Sequence, residues 1–263
     1  MFFLFCILAS ALGSFLVGGI GTGSSLILLP ALIVIFDHAF TGFDSLRLAA
    51  GTTIATIAVG AIAGGISRFR AGQVDVQLLR LLIVPYILGG FIGPWIGKLL
   101  SVQGLQIYIA GLLFCAGLKM LYTKRGDITA LRDYNEYKIQ ITLVLTLIGV
   151  ISSMGGIASG LFAIPFLMRF ALPMHLIAGT STMAAAVYAS VASVGYVTAG
   201  LGEADLPDAS LGYVYLPAFI VMALTAMVFT PLGVKFSQKL NDHILQRALA
   251  LFLLIAAIVV IAR

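Results

Sequence analysis

The sequence predicts an all-α integral membrane protein of two inverted-topology repeats, each a Gly-broken re-entrant helical hairpin plus three transmembrane helices. Three observations carry this. The 263 residues are 61% hydrophobic and only 10% charged, with a mean hydropathy of +1.12. The chain repeats its own motifs at regular spacing. Finally, matching loops in the two copies carry opposite charge.

Composition comes first. A soluble domain carries roughly 25% charged residues, so this surface belongs in lipid. Charge-free stretches run Met1–Phe36, Leu48–Ser67, Leu99–Leu118, Ile139–Met168, Leu176–Gly202 and Ala209–Val234. Several exceed the ~20 residues that a helix needs to cross the hydrocarbon core. The net charge of +5 fits the basic bias of cytoplasmic loops better than a nucleic-acid face, so no nucleic-acid partner is expected. Cys6 and Cys115 lack ligand spacing, as do His38, His175 and His243, and no metal or other cofactor is expected. Ala9-Ser10-Ala11 looks like a cleavage site. No base precedes its apolar run, however, and a second copy of the segment lies mid-chain, so it is expected to be retained.

The first element is broken by "GGIGTGSSLILLP", Gly18–Pro30, with four glycines and three hydroxyl residues in its first eight positions. A Walker loop needs a lysine where Ser24 stands, and a dinucleotide fingerprint needs a third glycine at that same position. Neither soluble motif fits. The second element carries "AAGTTIA" (Ala49–Ala55), and the loop after it holds Arg68, Arg70 and Arg80. A third element contains "GPWIGK" (Gly93–Lys98), and Leu99–Leu118 is the fourth. These make a first repeat, 1–122. A charged cytoplasmic linker, 123–137, leads to a second repeat, 138–263.

In the second repeat Gly156-x₈-Pro165 answers Gly21-x₈-Pro30, with Ser159 in the place of Ser24. "IAGTSTM" (Ile177–Met183) answers "AAGTTIA", Ala199-Gly200 answers Ala71-Gly72, and "TPLGVK" (Thr230–Lys235) answers "GPWIGK". The loop matching Arg68–Arg80 now carries Glu203, Asp205 and Asp208 without a base. The loop that held only Lys98 now holds Lys235, Lys239 and Arg247. Positive sides that swap between halves mark an inverted repeat. Inversion needs an odd number of crossings per half, so one of the four elements is no simple span. The arms Ile139–Ile151 and Leu161–Phe170, about 20 and 15 Å as helix, fall short of ~30 Å of hydrocarbon. A hairpin that dips to mid-depth and returns satisfies both parity and length.

Two such tips, Gly18–Ser25 and Ser152–Gly160, are expected to meet near the midplane. Non-helical backbone is tolerated there only when buried in protein or lining a wet cavity. The second arm of each hairpin starts at its tip and points free N–H groups and a positive dipole end into the shared space. Two opposed helix N-termini make an anion site without a buried lysine or arginine. The candidate substrate-binding residues are Gly21, Thr22, Gly23, Ser24 and Ser25 in the first tip, and Gly156, Ser159 and Gly160 in the second. Thr52, Thr53, Thr180 and Ser181 join them from the Gly-Thr motifs. Close helix packing is the alternative use of such glycines, and it suffices for Gly13, Gly64-Gly65 and Gly89-Gly90.

A Gly-rich tip running into an apolar arm with proline, then a Gly-Thr-Ser-like helix, all duplicated, resembles the TauE/SafE sulfite-exporter family. The resemblance rests on Gly19–Pro30 and Gly51–Thr53, and again on Gly156–Pro165 and Gly179–Ser181. It implies export of sulfite, sulfonates or related organic anions across a cell inner membrane. The expected function is therefore a secondary transporter of a small anion, working by alternating access around the paired tips. The lipid bilayer is its second partner, and a homodimer is compatible with the sequence. An anion channel, an importer of another oxyanion and a non-transporting assembly subunit stay open. An intramembrane serine protease needs a base beside its serine, and no histidine falls within a span. No enzyme activity is expected.

Overall fold

The computed structural model describes residues 1–20, 24–40, 44–122, 134–170, 172–203, 205–236 and, near the C-terminus, 254–255, 257–258 and 260. The helices are α1 (Phe2–Ile20), α2 (Ser24–Ala39), α3 (Ser45–Arg70), α4 (Val76–Leu99) and α5 (Val102–Tyr122). A 3₁₀ turn at Tyr134–Tyr137 then leads into α6 (Lys138–Met154), α7 (Gly160–Leu167), α8 (Met174–Gly200) and α9 (Leu216–Phe236). Two-residue strands β1 (Ser210–Leu211) and β2 (Val214–Tyr215) pair antiparallel just before α9. Among the described helices α3, α4, α8 and α9 are long and apolar enough to cross a membrane. The linker residues 123–133 lie outside the described residues, as do Lys239 and Arg247.

Local signals in the sequence set the helix ends. Asp44 caps α3 by accepting from the Arg47 N–H, and Asp75 caps α4 by accepting from the Gln77 and Leu78 N–H groups. Gly72, at φ +69°, ends α3. Its own N–H reaches the Phe69 carbonyl and the next N–H, from Gln73, reaches the Arg68 carbonyl.

Packing follows the small residues. Gly18 of α1 lies so close to Thr230 and Gly233 of α9 that a Cβ there would collide with α9 backbone. Gly89 and Gly93 of α4 meet Gly149 and Ser153 of α6 in the same way. Elsewhere α3 packs on α8 and α9, α4 packs on α8, α2 on α3, and α7 on α8. Exchanging α1–α4 with α6–α9 leaves this set of neighbours unchanged. α1 runs parallel to α9, from Phe2, near Tyr215, to Gly18, near Val234. α6 runs alongside α4 from Thr146, near Gly89, to Met154, near Gly97.

The core and the surface are both apolar. α2 buries Leu26, Leu28, Leu29, Leu32, Ile33 and Phe36 at the centre, whereas Leu143, Val84, Phe91 and Leu224 point outward. That is the pattern of a body solvated by lipid. The two ends differ in charge. One carries Asp37, Asp44, Glu203, Asp205 and Asp208 beside Arg47 and Lys98, with Lys98 Nζ bonded to Glu203 at 2.8 Å. The other carries Arg68, Arg70, Arg80, Lys138, Arg169 and Lys235 beside Asp75 and Glu136.

The second hairpin reaches further than its expected arm. α6 continues to Met154, which packs against Gly97, close to the end of α4. Serines that read as part of a non-helical tip stay helical, because Ser153 Oγ donates to the Gly89 carbonyl of α4 at 2.9 Å. The irregular stretch shrinks to Gly155–Ser159. Both ends of each hairpin lie together, with Phe2 stacked on Phe36 and Tyr137 against Phe170.

Candidate functional site

The Gly-Thr motifs lie where each half grips the other. Thr52 Oγ1 accepts the N–H of Tyr215, the residue just before α9, at 3.0 Å. Thr180 Oγ1 accepts the N–H of Asp75, the residue just before α4, at 2.9 Å. The glycine that precedes each threonine is needed for the approach. A Cβ on Gly51 would strike the Tyr213 carbonyl, and one on Gly179 the Gln73 carbonyl. Thr52 and Thr180 therefore do not share one site. Thr52 sits toward the acidic end and Thr180 toward the basic end, and the α3 stretch from Thr52 to Arg70 alone measures about 27 Å. Their neighbours Thr53 and Ser181 are buried, with hydroxyls that find no partner among the described residues.

The second tip is wholly enclosed. Ser152, Ser153 and Ser159 have no exposed surface. Gly156, at φ +69°, faces Ala50 of α3 so closely that a side chain would not fit. Tyrosine hydroxyls satisfy the carbonyls of the tip: Tyr108 donates to Ile151 at 2.6 Å, Tyr196 to Ser153 at 2.8 Å, and Tyr188 to Ile157 at 2.9 Å. Three carbonyls in and just before the tip are thereby served by side chains.

The N–H groups of the tip are only partly served. α7 begins at Gly160, with Ser159 as its cap residue, and Ser159 makes no side-chain cap bond. Among the described residues no hydrogen bond is made by the N–H of Ser159 or of Gly160. Ser159 Oγ is buried beside the Tyr86 hydroxyl, and among the described residues neither has any other hydrogen-bond partner. Of the other tip N–H groups, those of Gly156 and Ile157 turn back to the Ser153 and Ser152 carbonyls, and that of Ala158 donates to Ser25 Oγ of α2 at 3.0 Å. Ser25 belongs to the first hairpin, so the two hairpins touch where α2 and α7 begin. Gly21, Thr22 and Gly23 lie outside the described residues, as does the side chain of Ser24.

Arg68 had no place among the candidate residues. It occupies the last turn of α3 and is only 5% exposed. Its Nη2 donates to the Gly18 carbonyl at 2.9 Å and its Nη1 to Gln73 Oε1 at 3.2 Å, while Nε has no acceptor among the described residues. An arginine close to a span end reads as a loop charge, and only the fold tucks it under α1. Two cavities lie away from the second tip. One of about 10 Å³, room for a single water, is enclosed by Ser14, Thr56, Gly60 and Thr230 among others. A groove of about 430 Å³ at the acidic end is lined mainly by apolar groups of α1 and α2. Among the described residues no group of His, Cys, Asp or Glu could hold a metal ion.

These features can be set beside known proteins. The profile of the sulfite exporter TauE/SafE family matches residues 6–260. The chain belongs to that family. A probable membrane transporter protein of Haemophilus influenzae is 29% identical over 98% of this chain and 97% of its own length. A probable membrane transporter protein of Xylella fastidiosa is 27% identical over 97% and 93% respectively. One from Methanocaldococcus jannaschii is 23% identical over 84% and 81%. No solved structure matches the chain. The family and these relatives, with the apolar helices, identify a multi-pass membrane transporter.

Proposed function

We propose that this protein is a secondary transporter that exports a small sulfur-containing or organic anion, such as sulfite or an organosulfonate, across a cell inner membrane. The observation that carries the reading is the buried start of α7. There, among the described residues, the N–H groups of Ser159 and Gly160 lie unpaired and the Ser159 hydroxyl meets only that of Tyr86, in contact with the start of α2 from the other hairpin. Unpaired buried donors at the positive end of a helix dipole are suited to an anion, which completes their hydrogen bonds on arrival. The two halves act as inverted repeats whose hairpins enter from opposite faces. The exchanged packing partners and opposite helix directions support that reading. The basic end faces the cytoplasm. The second tip is sealed on every side in this conformation, which suits alternating access better than an open channel.

The test is flux in reconstituted vesicles against a panel of sulfite, sulfate, organosulfonates and carboxylates, with wild type and two variants. Ser159→Ala removes one hydroxyl and leaves the N–H groups in place. It is expected to weaken affinity about 2- to 13-fold, as one neutral hydrogen bond is worth about 0.5–1.5 kcal/mol. Ser159→Asp puts a fixed negative charge where the anion sits and is expected to abolish transport. An aspartate variant that carries anions as well as wild type would remove the second tip as the site.

A further inference from the structure

We infer that Arg68 is a second anion-binding point, the guanidinium that balances the substrate's charge at the basic end of the pathway. The inference rests on the reading of the protein as an anion transporter and adds to it a charged group outside the second tip.

The argument is an internal comparison. The motif alignment that pairs Thr52 with Thr180 also pairs Arg68 with Tyr196. The alignment that pairs Gly21 with Gly156 pairs Gly18 with Ser153. Arg68 donates to the carbonyl of Gly18, and Tyr196 donates to the carbonyl of Ser153. Matching residues thus do the same structural work at the ends of α1 and α6, and in one half a neutral phenol suffices. The positive charge of Arg68 is surplus to that work.

It is also expensive to keep. Arg68 is buried, no carboxylate pairs with it among the described residues, and nothing but burial perturbs it. A buried charge without a counter-ion is strongly disfavoured. Arg47, at the opposite end of α3, shows the ordinary solution, an ion pair with Asp44. A visiting oxyanion supplies the missing partner for Arg68. The free Nε–H beside an Nη group is the donor pair that a guanidinium offers an oxyanion in bidentate fashion. Of the described bases at the basic end, Arg68 is the one buried against the first hairpin. It is therefore placed to meet an anion arriving from that side.

The experiment compares wild type with Arg68→Lys, Arg68→Gln and Arg68→Tyr in vesicles, using sulfite as the probe, and measures thermal unfolding of each in detergent. Arg68→Tyr installs the other half's solution. The expected result is that Gln and Tyr raise the KM for sulfite at least 10-fold, while their unfolding temperatures match or exceed that of wild type. Lys, which keeps the charge, recovers most of the affinity. Wild-type KM in Arg68→Gln or Arg68→Tyr overturns the inference. So does destabilisation of Gln and Tyr in step with lost transport, which marks a structural cap. If wild type carries no anion of the panel, the transport reading falls, and this inference with it.

Discussion

Thr52 and Thr180 show how a hydroxyl inside a membrane protein is used when its own helix does not take it. Thr56 and Thr182 bond back to the carbonyls of Thr52 and Ala178, the usual local solution. Thr52 and Thr180 instead accept an N–H from the other half, at the start of a helix where four N–H groups lack partners. Thr52→Val and Thr180→Val keep the shape and strand that N–H. Each is expected to cost about 1–3 kcal/mol of stability, seen as a lower unfolding temperature in detergent. Thr53→Val and Ser181→Ala remove hydroxyls with no partner, so they are expected to leave stability unchanged or raise it. A larger loss for the second pair than for the first would reverse these assignments.

At the scale of elements, the two hairpins are built alike but braced differently. Tyr108, Tyr188 and Tyr196 pin the second tip, and Tyr86 packs its ring against Tyr188 at 5.6 Å. The aligned positions Gly60 and Arg68 bring no phenol to the first hairpin. Tyr188→Phe deprives the buried Ile157 carbonyl of its donor and is expected to cost about 1–3 kcal/mol. Amide exchange around residues 155–159 should rise in the same variant, whereas protection in α1 should not change. Packing sets a harder limit. Gly93→Val forces a branched side chain into Ser153 and the α6 backbone, and is expected to prevent assembly of α4 on α6, read as loss of monodisperse protein on extraction.

The whole molecule is organised by its two unlike ends. Single-cysteine labelling in intact cells is expected to place Lys138 and Lys235 on the cytoplasmic face and Asp205 on the opposite one. Finding Asp205 and Lys235 on the same face would contradict the packing of α8 and α9. At the acidic end, the hydrogen bond from Lys98 holds the Glu203 carboxyl below the usual carboxylate range. A depressed carboxylate contributes stability that is present at neutral pH and disappears as pH falls through its folded pKa. Wild type and Glu203→Gln should therefore differ slightly in unfolding temperature at pH 7 and converge in acid. The effect is small because both groups are part-exposed.

The sequence by itself determined the membrane environment, the all-α class and the recurrence of matched Gly-rich motifs in the two halves. These follow from composition and from local rules of backbone and hydrogen bonding, which act within a few residues. It also singled out Ser25 and Ser159, because a hydroxyl beside glycines in an apolar run needs a reason. Only the tertiary structure separated the candidates by task. Ser25 caps the opposing tip, Thr52 and Thr180 clamp loops of the opposite half, and the Ser159 hydroxyl sits beside that of Tyr86 at a helix start whose N–H groups have no partner among the described residues. Helix spacing says which residues share a face, but not whose backbone arrives there from more than a hundred residues away. Arg68 is the sharpest case. Its charge reads from sequence as one more loop base, and its meaning depends on burial under Gly18, which long-range packing alone provides.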